Sequence, residues 1–239
     1  MTLSLIARLP VVNSTNSLLA EMLEEAGGPQ GCLPTALLFA DEQSAGRGRG
    51  GNAWLSPKGG LYFSILFRSD PLPPFIPLTA GLFLARWLAG VAGCRVTVRW
   101  PNDLMMDDRK LAGILAESKA SGVCILGVGV NVNAYIPISP DRDPVSLQEC
   151  LGKAISLGGL RSEVEHFMND DFLPFILDGG NLRQWPNLSY FAPGQSLVCR
   201  SGRKKIRGTY LGITERGFLK MEAGGKVLEL PSAEDVRKA

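Results

Sequence analysis

The sequence predicts an α/β protein of the α+β type, in which a mixed sheet flanked by helices precedes a small β-barrel. Up to about residue 188, apolar residues at helical spacing alternate with segments of period-two strand pattern. The strand patterns between residues 96 and 130 are joined by turns too short for a helical crossover, so largely antiparallel neighbours are expected. From Pro193 onward only short alternating runs remain, which is typical of a small barrel.

The first part of the chain contains the clearest signals for individual elements. A polar cluster at residues 13–16 precedes apolar residues at helical spacing, which predicts a capped helix that ends near Gly27 and Gly28. Over residues 61–68 one set of side chains (Leu61, Phe63, Ile65 and Phe67) alternates with another (Tyr62, Ser64, Leu66 and Arg68), which gives the clearest strand. The other predictions here are a short apolar run at 3–6, a buried strand at 35–40, a glycine-rich loop at 41–53 and a helix at 77–90.

The rest of the chain gives shorter patterns. Ser162 and Glu165 have the spacing of a capping box, which predicts a helix over 162–177 that bends or ends near Pro174. Helical structure is expected to continue over 181–188, and the change of character near 188–193 predicts two domains, 1–188 and 189–239. Strands are predicted at 96–100, 104–106, 110–117 and 123–130, and then at 195–199, 204–211, 218–223 and 226–230, with turns at Asp107-Asp108 and Ser121-Gly122.

Composition excludes several classes of protein. Lys and Arg exceed Asp and Glu by only 25 to 23, so net charge does not indicate a nucleic-acid or membrane partner. No window approaches the ~20 apolar residues that span a bilayer, and the first residues lack the pattern of a secretion signal. We therefore expect a soluble, unprocessed, cytoplasmic protein.

The cysteines and the single histidine are not expected to carry chemistry. The five cysteines are odd in number and widely spread, which argues against a disulfide framework and a zinc cluster. We predict that they are reduced core residues: Cys32, Cys94, Cys124, Cys150 and Cys199. His166 falls in a predicted helix far from every motif, so histidine-based catalysis is not expected.

Glycine and arginine alternate in the segment Gly46-Arg47-Gly48-Arg49-Gly50-Gly51. Glycines let backbone amides approach an anion closely, and two guanidinium groups add fixed charge and bidentate hydrogen bonds. No GK[ST] follows, so the segment is not a Walker loop. Such runs also occur in disordered RNA-binding tails, but this one lies between strand signals, which favours an anion-binding loop on a rigid scaffold.

A second candidate site begins at Arg99-Trp100-Pro101-Asn102-Asp103-Leu104, where proline fixes a turn that presents an amide beside a carboxylate. Asn102 could read an adenine edge or hold a metal-phosphate. Asp103 could orient an amine or lie near Mg²⁺, and a plain turn role for it is the alternative. Further on, Lys110 starts a strand that reaches Gly113, where a ligand can approach the backbone, although a lone lysine is usually a solvated surface residue.

Seven segments, taken in order and with their spacing, resemble biotin protein ligases. They are STN at 14–16, QSAGRGRG at 43–50, WLSP at 54–57, LYFS at 61–64, WPNDL at 100–104, RKLAGIL at 109–115 and GVGVN at 127–131. The resemblance covers essentially the whole chain and implies a catalytic domain to about residue 188 and an SH3-like barrel after it. Because it begins almost at Met1, we expect no N-terminal winged-helix repressor domain.

The resemblance implies a two-step reaction. The biotin carboxylate attacks the α-phosphorus of ATP to give biotinyl-5′-AMP and pyrophosphate. A lysine amine of a biotin carboxyl carrier protein domain then attacks the mixed anhydride. ATP with Mg²⁺ and biotin are thus expected as substrates, without a prosthetic group, nucleic acid or membrane, in a monomer or a homodimer.

The resemblance also assigns residues. Lys110, Arg49 and Asp103 would be catalytic, with Lys110 offsetting charge shared by the carboxylate and the α-phosphate. No protein-caged metal site is expected, since Mg²⁺ would enter with ATP, with Asp103 as its candidate neighbour. The biotin-binding set is Ser14, Thr15, Asn16, Gln43, Gly46, Arg47, Gly48, Arg49, Trp54, Tyr62, Lys110 and Gly113. The nucleotide-binding set is Arg49, Trp54, Asn102, Lys110 and Asn131.

Two departures from the family pattern and two alternatives stay open. The family usually has lysine at the position of Arg99, and the end of the loop at residues 51–53 is less basic than in some relatives. A lipoate ligase would keep the fold and the adenylation chemistry. A nucleic-acid-binding module could use the loop together with Arg203, Lys204, Lys205 and Arg207, although a charged hairpin edge protected from aggregation is the simpler interpretation of that cluster.

Residues 46–53 are predicted to be mobile without ligand and to order when biotin or the adenylate binds. The reasons are that glycine gives conformational freedom and that the arginines are expected to lack partners until an anion arrives. Limited proteolysis should therefore show slower cleavage within this segment at saturating biotin. Equal protease sensitivity with and without biotin would contradict the prediction.

Overall fold

The protein, as described by a computed structural model over residues 3–30, 34–119, 122–138 and 143–239, contains two β-sheets. The first sheet has seven strands in the order β1-β2-β3-β7-β6-β5-β4. Only the β1–β2 pair is parallel, and every other pair in it is antiparallel. This confirms the predicted mixed sheet. Its strands are β1 Leu5–Val12, β2 Ala36–Gln43, β3 Leu61–Arg68, β4 Val96–Arg99, β5 Asp103–Met106, β6 Arg109–Ser118 and β7 Val123–Val130.

Helices cover both faces of this sheet. Helix α1 (Thr15–Glu25) packs Leu19 and Leu23 against one face. Helix α2 (Ile76–Ala92) and the later helices pack against the other face, within the larger apolar cluster. Successive residues of β2 enter the two clusters alternately, as the pleat requires. The later helices are α3 Leu147–Leu151, α4 Leu157–Phe167, α5 Leu173–Leu177 and α6 Trp185–Leu188.

The second sheet has five antiparallel strands in the order β11-β10-β9-β8-β12. They are β8 Ser196–Ser201, β9 Lys204–Ile213, β10 Leu219–Ala223, β11 Lys226–Leu230 and β12 Glu234–Lys238. The first four were predicted, and β12 was missed because its one buried residue, Val236, lies among charged neighbours. Within the described residues, no ladder joins β11 to β12, so closure into an SH3-like barrel stays a prediction.

Several predicted boundaries were wrong for identifiable reasons. Strand β1 continues past the predicted run at 3–6 and through Pro10, because an edge strand tolerates a missing N–H on its open side. Strand β2 takes the first three residues of the predicted loop, so that the loop begins at residue 44. Helix α4 begins before Ser162, because the Ser156 hydroxyl accepts from Gly159 N at 3.1 Å and caps it.

The prediction that all the cysteines are core residues is only partly correct. Cys124 and Cys199 are buried, whereas Cys94 and Cys150 are exposed. Cys94 follows the left-handed glycine that ends α2, and Cys150 lies in the short helix α3. Cys32 lies outside the described residues. In the described ranges, none of the helices is long and apolar enough to cross a membrane.

The two sheets are joined by buried hydrogen bonds and a shared apolar cluster. Trp100 directly follows β4, and its Nε1 donates to Gly217 O at 2.9 Å in the loop before β10. Trp185 Nε1 donates to the Tyr210 hydroxyl on β9 at 2.6 Å. Apolar residues of both sheets belong to one cluster, so the second sheet is fixed against the first.

Trp100→Phe removes the indole N–H while keeping most of the apolar surface. The buried Gly217 carbonyl then loses its partner, which should lower the free energy of unfolding by about 1–3 kcal/mol. Urea denaturation followed by far-UV circular dichroism measures the change. Trp87→Phe is the matched control, since Trp87 Nε1 donates to Glu163 at an exposed position. An effect no larger than that of the control would show that the Trp100 hydrogen bond contributes little.

Candidate active site

A cavity of about 890 Å³ opens between the first sheet, the glycine loop (residues 44–55) and strand β12. This volume lies in the range of sites that enclose small organic ligands. The first sheet contributes residues of β5, β6 and β7, and α1 contributes its N-terminus. The second sheet contributes Arg200 and residues 233–237. Both parts of the chain are therefore needed to form the cavity.

One end of the cavity is neutral and polar. Gln43 Oε1, at the end of β2, accepts from Thr15 N at 2.8 Å and from Thr15 Oγ1 at 3.1 Å. Ser64 Oγ on β3 lies 2.6 Å from both Thr15 Oγ1 and Asn16 Oδ1. Ser14 caps α1 with extended backbone, and in the described part of the chain its hydroxyl has no hydrogen-bond partner. The end thus combines a fixed network with a free hydroxyl.

Glycines form the floor beneath Trp54. Gly113 on β6 lies directly opposite Gly129 on β7. A Cβ on Gly129 would lie 2.3 Å from Trp54 Nε1, and one on Gly113 would lie 3.0 Å from Trp54 Cζ3. The indole therefore packs on bare backbone, and its buried Nε1 has no partner among the described residues. Only glycine allows a flat group to lie this close to the two strands.

The other end of the cavity is ionic. Asp103, at the start of β5, places Oδ1 2.6 Å from Lys110 Nζ and Oδ2 2.7 Å from Arg99 Nη2. Burial would raise the pKa of Asp103, but the charges and hydrogen bonds of Lys110 and Arg99 outweigh burial and hold that pKa below its ordinary value. Asp103 is therefore ionised at neutral pH. Lys110 Nζ also lies 5.1 Å from the centroid of the Trp54 ring, so the ammonium is held from two sides.

The glycine loop has a defined backbone and engaged arginines. Gly48 N donates to Asn52 O at 2.7 Å, and Gly50 and Gly51 have φ of 63° and 80°, which favours glycine. Arg49 Nη1 lies 3.5 Å from Asn102 Oδ1, and burial lowers the pKa of Arg49 against the opposing charges of Asp103 and Glu234.

Arg47 also has partners. It forms a close ion pair with Glu117, and its Nη1 donates to Ser17 Oγ at 3.3 Å. The expectation that the loop arginines lack partners without an anion was therefore wrong. Protein carboxylates and amides occupy them, because the loop lies close to β6 and to the N-terminal end of α1.

Comparison with known sequences decides the family. Residues 9–133 match the sequence profile of the biotin/lipoate A/B protein ligase family. The bifunctional ligase/repressor BirA of Escherichia coli is 30% identical over an alignment that covers 92% of this chain and 70% of that protein. The chain belongs to the biotin/lipoate A/B protein ligase family. The biotin–[acetyl-CoA-carboxylase] ligase of Paracoccus denitrificans is 28% identical, over 92% of this ligase and 96% of that protein.

The fold of the ligase is similar to that of solved biotin protein ligases. The structure of the Aquifex aeolicus enzyme in complex with biotin and ATP superposes with a TM-score of 0.76 at 27% identity, over 98% of this chain and 99% of that chain. The Leishmania major enzyme in complex with biotinyl-5-AMP gives a TM-score of 0.63 at 26% identity, over 94% of this chain and 98% of that chain. The similarity therefore includes the second sheet.

The ligase places nearly all the predicted site residues around the one cavity. Gly46 and Tyr62 do not line it, and of the two only Gly46 contacts a residue named here that does, Trp54. A Cβ on Gly46 would lie 2.4 Å from Trp54 O, and buried Tyr62 donates its hydroxyl to Pro57 O at 2.8 Å. The predicted residues that line the cavity are Ser14, Thr15, Asn16, Gln43, Arg47, Gly48, Arg49, Trp54, Asn102, Asp103, Lys110, Gly113 and Asn131.

Sequence reasoning missed two groups of residues at this site of the ligase. Arg200, Glu234 and Arg237 come from the second sheet, and no motif marks them. Glu117 joins Asn16 to Arg47 from β6. The only signal for Glu117 was its position near the end of a strand that already carried Lys110. The charged sequence of β12 gave no usable signal.

Gly129→Ala should destabilise the ligase by about 1–3 kcal/mol, because the added methyl must displace either the Trp54 indole or strand β7. The tryptophan emission spectrum should shift at the same time. Gly90→Ala is the matched control, since Gly90 lies exposed in α2 and a Cβ there meets nothing within 4 Å. It should stabilise by about 0.5–1 kcal/mol through helix propensity. Equal melting temperatures for the two variants would contradict the close Trp54 contact.

Proposed function

We propose that this chain is an ATP-dependent biotin protein ligase. It activates biotin to biotinyl-5′-AMP with release of pyrophosphate. It then transfers biotin to a lysine of a biotin carboxyl carrier protein domain of a biotin-dependent carboxylase. The single observation that carries this proposal is that the cavity has one neutral polar end and one ionic end. The chain that contains it is similar to ligases whose structures contain biotin and ATP.

The two ends of the cavity suit the two ends of biotin. The ureido ring has both donors and acceptors, which match Ser14, Thr15 and Gln43 at the polar end. The flat bicyclic ring and the chain can lie along the Gly113–Gly129 floor beside Trp54. The carboxylate then reaches Lys110 and Arg49 at the ionic end.

In the first step a carboxylate oxygen of biotin bonds to the α-phosphorus of ATP, and the bond from that phosphorus to the bridging oxygen of pyrophosphate breaks. Both reacting groups are anionic, so their approach needs a cation between them. Lys110 supplies it, because its ammonium already points into the cavity between Asp103 and the Trp54 ring. Arg49 adds a second positive charge from the glycine loop.

Asp103 keeps Lys110 and Arg99 in place before substrate binds. Each of its carboxylate oxygens already holds a cation, one Lys110 and the other Arg99. Mg²⁺ that enters with ATP would thus be held mainly by phosphate oxygens and water, and Asp103 would bind it only by releasing one of these partners. The lowered pKa makes Asp103 a weak base, so we assign it the orientation of Lys110 and Arg99 and not the uptake of the proton that the second step releases.

In the second step the acceptor lysine amine attacks the carbonyl carbon of the mixed anhydride, and AMP leaves with the bonding electrons. An amide forms and one proton is released. Asn102 and Asn131 lie on the side that we assign to the nucleotide. Asn131 Nδ2 donates to the carbonyl oxygens of Lys110 and Val145, which fixes the end of β7 beside the catalytic lysine.

Biotin is favoured over lipoate because the dithiolane ring of lipoate has no N–H or C=O group for the polar end. The test is pyrophosphate exchange into ATP with the purified protein and either biotin or lipoate, followed by addition of a carrier domain. Biotin-dependent exchange and labelling of the carrier are expected. Labelling by lipoate alone would overturn the proposal in favour of a lipoate ligase.

Lys110→Ala should lower the rate of biotin-dependent pyrophosphate exchange by on the order of 10²–10³-fold, since it removes positive charge at the α-phosphate. The fold should persist, as measured by circular dichroism. Lys153→Ala, at an exposed position outside the cavity, is the matched control and should exchange at the wild-type rate. Near-normal exchange by Lys110→Ala would refute the role of this lysine.

A further inference from the structure

Glu117 lies near the end of β6, and its side chain is only 25% exposed. One of its carboxylate oxygens accepts from Asn16 Nδ2 at 2.8 Å. The other accepts from Arg47 Nη2 in a close ion pair. A single side chain thus connects the N-terminus of α1 with the glycine loop.

The Asn16 amide is fixed in the orientation that Glu117 requires. Its Oδ1 faces Ser64 Oγ at 2.6 Å, so its Nδ2 must point towards Glu117. Gly127 gives it room, since a Cβ there would lie 2.2 Å from Asn16 Oδ1. The Asn16 amide is therefore held with its Nδ2 donor facing a carboxylate oxygen of Glu117.

The two ends of the glycine loop, at its base, are joined by residues other than Glu117 and Arg47. Gln43 Nε2 donates to Ser56 Oγ at 2.7 Å, and the two residues also form an isolated β-bridge. Beyond this base, Arg47 provides the connection to α1 through Glu117 and Ser17. The hydrogen bonds run from Ser56 through the polar end of the cavity to Glu117, and then return to the loop at Arg47.

We propose that Glu117 is a positioning residue that holds the glycine loop against the polar end of the cavity through Arg47, an inference that rests on the proposed biotin ligase function. A carboxylate is the only side-chain group here with two acceptor atoms and no donor. Glutamine would turn one acceptor into a donor that faces either Asn16 Nδ2 or Arg47. The loop so held retains the activated intermediate until the acceptor lysine arrives.

The test is the release of radiolabelled biotinyl-adenylate from a preformed complex with Glu117→Gln. Release should be about 5- to 10-fold faster than from the wild type, the size expected for a partly exposed charge-assisted pair. The KM for biotin in pyrophosphate exchange should rise by more than kcat falls, because Lys110 and Asp103 are untouched. A general loss of structure would not give this split. Release at the wild-type rate would overturn the proposal.

The single variant Arg47→Met, and the double variant that combines it with Glu117→Gln, test whether Glu117 acts through the loop. If it does, the double variant should release the intermediate no more than about twofold faster than the faster single variant, since both changes break the same pair. Fully multiplicative effects would overturn the proposal. Glu165→Gln, exposed on α4, is the matched control. Absence of biotin-dependent exchange in the wild type would instead refute the ligase function.

Discussion

The cavity depends on the Asp103 carboxylate, which lies between cations from the two neighbouring strands. Arg99 lies opposite Asp103 in the β4–β5 ladder, and Lys110 reaches it from β6. Without this carboxylate, Arg99 and Lys110 would lose the counter-charge that each of them contacts. Because Asp103 stays ionised, Arg99 and Lys110 are held at this end of the cavity in the absence of a bound anion.

The second sheet completes the site as well as extending the fold. Trp100 is adjacent to the turn that presents Asn102 and Asp103, and its indole N–H is held by the carbonyl of Gly217. The same sheet places Glu234 near Gly50 and within electrostatic reach of Arg49. Packing between the sheets therefore bears on the position of the turn at Asn102 and Asp103 and on the glycine loop.

The glycine loop combines freedom with specific restraints. Its positive-φ glycines permit a tight turn, while Gly46 and the Gln43–Ser56 bridge fix its base. Arg47 is tied to Glu117 and Arg49 approaches Asn102. An anion that enters the cavity must compete with these protein partners. The predicted ordering of the loop on ligand binding would therefore include an exchange of these partners.

The sequence alone determined the elements whose pattern is local. Strands β3 and β7 were predicted to the residue, because apolar residues fill them between clear turns. The glycine loop, Asp103 and Lys110 could be found because a short motif carries its own chemistry. Only the tertiary structure decided what Glu117, Arg200 and β12 do, since each gains its role from a partner distant in sequence. The sequence around such a charged residue does not indicate its role, because the group that it contacts is brought close only by folding.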